Sequence, residues 1–283
     1  MTHHKTISAR IDVHGTGLHT GRTSSVTLHP AKAGSGICFR YSGSSYQRVE
    51  SLKVLATERC TRIEFEDGST LDTIEHLMAA LAMTEITDIL VSFDCSEAPI
   101  LDGSAVEWVR AIEGAGIVDL EGSVATMHVL RSFEFSIRGS HYTAEPGPLS
   151  YDVSIDFPNT PIGYQSVSVS GSDIRDLADS RTFVLEHEIA ALRASGLALG
   201  GGLHNALVIG PRGPLNESGF RHEDECVRHK TLDLIGDLRL AGSTVIGRFK
   251  AHRPGHAATS AFLRAMVSQG VLGWREADVM RAA

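Results

Sequence analysis

The chain has 283 residues, which at about 150 residues per domain suggests one large domain or two smaller ones. Its 26 Lys and Arg against 34 Asp and Glu leave a formal net charge of −8, the wrong sign for a protein that binds nucleic acid by neutralising phosphates. With 42% hydrophobic and 21% charged residues the composition is that of a globular protein, which excludes global disorder. Apolar runs such as Ile89-Leu90-Val91 fall far short of the ~20 residues of a membrane span. The first residues, Met-Thr-His-His-Lys-Thr-Ile, have no apolar segment of the kind a secretion signal needs. The expectation is a cytoplasmic protein, monomeric by default. Cys38, Cys60, Cys95 and Cys226 are widely spaced, form no CxxC pair and are read as free thiols. The unusual count is 14 histidines, the residue most used for metal ligation and proton transfer.

In chain order, Ile7 to Val13 and Ser25 to His29 alternate as strands, with Gly15, Gly17 and Gly21 marking a turn between them. Ile37 to Tyr41 and Cys60 to Phe65 read as further strands, and Asp67-Gly68 as a tight turn. The period then changes. Asp72 to Met83 predicts a helix capped by Asp72 or Thr73, because Ala, Leu and Met are strong helix formers. Asp88 to Phe93 returns to strand, and Asp102-Gly103-Ser104 opens a second helix to about Glu113.

The second half repeats this plan. Val124 to Ile137, Tyr151 to Phe157 and Gln165 to Ser170 read as strands. A long helix is expected from about Glu223 to Leu240, then a strand over Ser243 to Lys250, then a helix opened by Pro254-Gly255-His256 and ending near Ser268. Each half thus ends helix, strand, helix. His76 stands 26 residues before Asp102, and His229 stands 27 before His256. The reading is an α+β fold of two duplicated domains, 1–122 and 123–283. A strand-helix-strand unit near 184–210 interrupts the second domain. Its run Gly200-Gly201-Gly202 lacks the strand-to-helix setting and the Lys-Ser/Thr of a phosphate-binding loop, so it is read as a turn.

Four patterns can carry chemistry. His229, Asp233 and Asp237 are spaced by four, so on a helix they share one face. A neutral imidazole and a carboxylate four apart can grip Zn²⁺ and leave coordination positions open, as catalytic zinc requires. A solvated polar stripe is the other reading, and the segment alone does not separate them. Glu75-His76 opens an apolar helix; it can supply a third ligand and a base, or merely an acid placed at the helix N-terminus. His256 follows Pro254-Gly255 at a helix start, where the helix dipole opposes a charged imidazole, so a partner carboxylate such as Asp237 is needed to hold a proton on it. In Ser180-Arg181-Thr182-Phe183, the Thr182 hydroxyl can meet a developing oxyanion, although alone the segment reads as a polar turn.

Taken together these segments resemble the UDP-3-O-acyl-N-acetylglucosamine deacetylases, the zinc enzymes of lipid A biosynthesis. The resemblance rests on Glu75-His76, Ser180 to Phe183, His229-Lys230 with Asp233, and Gly255-His256. Gly17 to Gly21, Asp102 to Ala105, Leu199 to Gly201 and Glu223 to Lys230 extend it. It implies two domains that each pack a sheet against helices, with the active site between the helix layers, and a metal site of His76, His229 and Asp233 for Zn²⁺, with Fe²⁺ as the alternative ion in the cell. It implies Glu75 as general base, His256 as general acid held by Asp237, and Lys230 and Thr182 beside the carbonyl oxygen. Phe183, Asp156, Phe157, Leu199, Gly201 and Cys60 would lie near the substrate, an acylated UDP-amino sugar, with the inserted unit forming the acyl passage. The enzyme would meet that substrate near the inner membrane surface without inserting in it. Ala257 to Ser260 and His204 depart from the family's usual residues. Two rival readings follow: a non-catalytic binding paralogue, and a zinc amidohydrolase acting on another acylated amino sugar.

Overall fold

The computed structural model describes residues 3–57 and 59–275. Its core is two five-stranded sheets of one design. The first runs, edge to edge, Ile11–Thr16, Thr23–Pro30, Ile89–Phe93, Ile37–Tyr41 and Gln47–Arg48. The second runs Phe133–Ile137, Ser140–Glu145, Arg248–His252, Ser150–Phe157 and Gly163–Ser170. In each, every neighbouring pair is antiparallel except the central strand with the fourth, which is parallel. In each, the central strand comes last in the chain, after a helix has crossed the sheet. Helix α1 (Glu75–Met83) precedes the first and α2 (Val106–Gly114) follows it; α4 (Glu225–Leu238) precedes the second and α5 (His256–Ser268) follows it. The duplication read from order and spacing is therefore present strand for strand.

Alternation explains the sheets. In Thr23–Pro30 the inward set is Ser24, Val26 and Leu28, all fully buried; in Ser150–Phe157 it is Tyr151, Val153 and Ile155. Helix α1 has no polar face at all: each of its nine residues is buried. A helix apolar all round belongs between layers, and α1 is packed against α4. They approach tightly at Gly236, where an added Cβ would lie 2.1 Å from the Glu75 carbonyl oxygen. That oxygen is backbone and cannot rotate away. Gly236→Ala is therefore expected to destabilise the fold by about 1–3 kcal/mol, overpacking outweighing the ~1 kcal/mol of helix propensity that alanine gains. Urea unfolding of the variant beside the wild type measures it.

Smaller elements complete the chain. Lys53–Leu55, Arg62–Glu64 and Thr70–Asp72 form a meander in the first half. Its counterpart in the second half is Phe183–Leu185 paired in parallel with Leu207–Gly210, with α3 (Ile189–Ala194) between them, the expected strand-helix-strand unit. No helix among the described residues is long and apolar enough to cross a membrane.

Several boundaries differ from the sequence reading. Neither Asp72 nor Thr73 caps α1: Asp72 ends a strand and accepts from the Arg62 guanidinium at 2.7 Å, while Thr73 turns the chain with φ +59°. The stretch read as one strand from Ile7 to Val13 is two, broken at residues 8–10, and Val124 to Ile137 is likewise split. Ser243 to Lys250 divides into Val245–Ile246 and Arg248–His252 at Gly247, where a Cβ would collide with Val129. His3–Ile7, Ile117–Ser123 and Leu272–Arg275 went unread. They are edge pairs whose partners are distant in sequence, and Ile117–Ser123 is exposed on nearly every residue, so it carries no alternating signal.

Candidate active site

The first turn of α1 faces the middle of α4. His76, His229 and Asp233 are 4%, 1% and 4% exposed, and one ligand atom from each lies within 4.8 Å of the others. Asp233 Oδ1 is 3.3 Å from His229 Nε2 and 3.6 Å from His76 Nε2. The two rings stand edge to face, 5.1 Å apart. His229 Nδ1–H donates to the Ser180 carbonyl at 3.0 Å, which leaves the Nε2 lone pair pointing at the cluster. Burial pushes His229 down to about 3, so its ring is neutral, as a ligand must be. Asp233 Oδ2 accepts from Lys230 Nζ at 2.7 Å, whereas the buried Oδ1 has no hydrogen-bond partner. Burial would raise the Asp233 carboxyl, but His229, Lys230 and His256 together hold it well below the usual range. Two imidazole nitrogens and an anionic oxygen with an unused lone pair fit one divalent cation with open positions.

A second cluster adjoins it. Glu75 Oε2 accepts from the Thr61 backbone N–H at 3.0 Å, and Oε1 is 3.8 Å from His256 Nε2. His256 Nδ1–H donates to Asp237 Oδ2 at 3.0 Å, and Nε2 lies 3.7 Å from Asp233 Oδ2. Burial pushes His256 down, but Asp237, Glu75 and Asp233 more than reverse it and raise it to about 9. His256 is therefore a cation at neutral pH despite its place at the N-terminus of α5. Burial also raises the Glu75 carboxyl, with His256 and His76 pulling the other way. An acid and a base of opposite preference thus flank one spot.

Around them lies a cavity of about 220 Å³, lined by Glu75, His76, His229, Asp233, His256, Thr182, Phe183 and Lys230. Past Leu18, Thr182 and Phe183 it joins a 310 Å³ passage whose walls include Ile189, Leu192, Ala198, Gly201 and Val208. On the other side Phe157, Lys230 and Pro254 border an outer cavity of 560 Å³ that contains Asp156, His187 and Arg253. Phe183 stands edge-on to Phe157 at 5.5 Å and has Lys230 Nζ 5.7 Å from its ring centre.

The structure thus brings Glu75, His76, Thr182, Phe183, His229, Lys230, Asp233 and His256 to one cavity, with Asp237 directly behind His256. Two placements differ from the sequence reading. Leu199 is 54% exposed, and Ala198 and Gly201 line the passage in its stead. Cys60 is buried with Sγ 4.0 Å from Thr57 Oγ1 and is not on the cavity wall; burial raises its thiol far above the ordinary value. Sequence reasoning missed Thr61. Its hydroxyl donates to Asp237 Oδ1 and lies 3.1 Å from His256 Nδ1, while its N–H holds Glu75. It also missed Glu97, fully buried, which accepts from the backbone N–H groups of His19 and Thr20 and from the hydroxyls of Thr20 and Thr73. That carboxylate ties the Gly17 to Gly21 loop to the turn entering α1. The Arg181 guanidinium grips Glu225 by two bonds, of 2.7 and 3.0 Å, and so fixes the Ser180 to Phe183 segment on the first turn of α4. Single polar residues with partners far along the chain leave no local pattern; Ser180-Arg181 and Glu225 did stand inside motifs already singled out.

The sequence model of the UDP-3-O-acyl N-acetylglycosamine deacetylase (LpxC) family matches residues 4–268. The chain belongs to this deacetylase family. Among curated relatives, the UDP-3-O-acyl-N-acetylglucosamine deacetylase of Neisseria gonorrhoeae is 35% identical over 275 residues, covering 93% of this chain and 90% of the relative. The protein of the same name from Syntrophotalea carbinolica is 36% identical over 263 residues, covering 90% and 85%. For a member of the deacetylase family the cluster of His76, His229 and Asp233 is a candidate metal site, in keeping with a metal-dependent enzyme.

Proposed function

We propose that this chain hydrolyses the N-acetyl group of UDP-3-O-(3-hydroxyacyl)-N-acetylglucosamine, releasing acetate, as the committed deacetylation of lipid A biosynthesis. The observation that carries this reading is the buried meeting of a His-His-Asp ligand set with Glu75 and a charged His256 in one cavity. Zn²⁺ would be held by His76, His229 and Asp233, a nitrogen and oxygen donor set that suits zinc, with Fe²⁺ as the alternative in the cell. When bound, it polarises the acetyl carbonyl and makes a water more acidic.

The chain's own groups do the rest. Glu75, raised by burial, takes the proton of the attacking water. As the carbonyl becomes tetrahedral, its oxyanion is met by Lys230 and by the Thr182 hydroxyl, both on the cavity wall. His256, kept protonated by Asp237, gives its proton to the departing nitrogen, so the C–N bond breaks to free amine and acetate. Phe183 packs beside the sugar. The passage past Leu18 takes the acyl chain, and the outer cavity with Asp156 and Phe157 takes the nucleotide.

The division into 1–122 and 123–283 is part of the same proposal. It is supported by pairing: His3–Ile7 pairs with Ile117–Ser123, whereas Thr126–Val129 pairs with Val245–Ile246 and Leu272–Arg275. We place the enzyme in the cytoplasm as a monomer.

The test is acetate release from the UDP-acyl sugar before and after chelation, with zinc or iron added back. Activity abolished by chelator and restored best by zinc is expected. A chain that holds one metal ion but releases no acetate would overturn the substrate and leave another acylated amino sugar or a binding role.

A further inference from the structure

One group in the passage wall is out of character with its surroundings. His19 lines the 310 Å³ passage and is 8% exposed. Arg59, Glu186 and Arg193, the charged residues on the same wall, all lie exposed to solvent. The other polar groups of His19 have partners. Its backbone N–H donates to Glu97 Oε1 at 2.7 Å, and its carbonyl accepts from the Leu199 N–H at 3.1 Å. Its ring Nδ1 accepts from the Ala198 N–H at 3.4 Å. An accepting Nδ1 puts the ring proton on Nε2. That Nε2–H is buried and has no hydrogen-bond partner. A buried donor left unpaired is costly, and protein interiors keep few of them.

We propose that His19 Nε2–H donates to an oxygen borne by the acyl chain itself, a hydroxyl close to its carboxyl end, and so selects hydroxyacyl over plain acyl substrates. The inference rests on the reading of this passage as the acyl site. Position favours the chain over the ester. Leu18 lines both cavities, whereas His19 lines only the passage, so it stands on the side where the chain alone runs. Its closeness to Leu18 places it at the near end, which is why the oxygen belongs near the start of the chain. An apolar tunnel without such a donor measures length but cannot reward a hydroxyl.

The experiment uses the metal-loaded full chain and two UDP-acyl sugars of equal chain length, one with a 3-hydroxyl and one without. The wild type is expected to favour the hydroxylated substrate by about tenfold or more in kcat/KM, since a buried donor left unpaired penalises the plain chain. In His19→Phe that ratio should fall toward one. His19→Gln, which keeps an acceptor for Ala198 and an N–H for the chain, should retain part of it. A wild-type ratio near one, or a preference that survives in His19→Phe, overturns the proposal. Calorimetric binding of free 3-hydroxylated and plain fatty acids to the wild type decides the same point with neither turnover nor a folded variant: tighter binding of the hydroxylated acid supports it, equal binding overturns it. Wild type that binds both acids yet turns over neither substrate would instead count against the proposed reaction.

Discussion

Glu75→Gln is expected to lower kcat by about 10²- to 10⁴-fold, the usual worth of a general base, with metal content unchanged and KM altered far less than kcat. The geometry argues for each part. Glu75 is outside the ligand set, and its Oε2 is occupied by the Thr61 N–H, so the oxygen free to act is Oε1, on the His256 side. Glutamine has the same shape and can still accept from Thr61, so the first turn of α1 and the His76 beside it keep their places. What it loses is the ability to take a proton. Steady-state kinetics paired with metal analysis checks the result. Unchanged turnover would remove Glu75 as base; turnover lost together with the metal would place it among the ligands instead.

How much of this was legible before the structure depends on where each signal lies. The i, i+4 spacing of His229, Asp233 and Asp237 put three side chains on one helical face, and α4 presents His229 and Asp233 to the cluster and Asp237 to His256. The segment could not say whether that face was wet. The answer came from α1, a helix with no polar side, which forces its only two acid/base residues into the interior. The repeated helix-strand-helix order was legible because order and spacing survive even where residue identity between halves does not. The supporting bonds were not legible. Thr61 reaches Asp237 across 176 residues, and His229 finds the Ser180 carbonyl, a backbone atom that no residue type announces. The entry to α1 was misread for a related reason. Asp72 and Thr73 have the right chemistry for a cap, but Arg62 and Glu97 compete for them and win, and the helix starts later.

Asp233→Ala separates ligation from proton transfer, because it removes a ligand and leaves Glu75, Asp237 and His256 in place. Loss of a hydrogen bond that merely supports a metal ligand typically lowers affinity or activity by about 10- to 100-fold. Losing the anionic ligand is expected to exceed that, leaving His76 and His229 unable to retain the ion through dialysis. Stability should respond in two ways. Lys230 Nζ, whose side chain is 22% exposed, loses its 2.7 Å partner, and an unpaired, largely covered ammonium costs on the order of 1–3 kcal/mol. The variant also forfeits ligand linkage: an ion that binds only the folded chain at 100 times its Kd raises wild-type stability by about 2.7 kcal/mol, and that increment should vanish. Thermal unfolding with and without added zinc measures both. The wild-type Tm should rise with metal, while Asp233→Ala should melt lower and show no rise. A variant that still gains stability from zinc would show that Asp233 is not a ligand, and would return the i, i+4 pair on α4 to the polar-stripe reading.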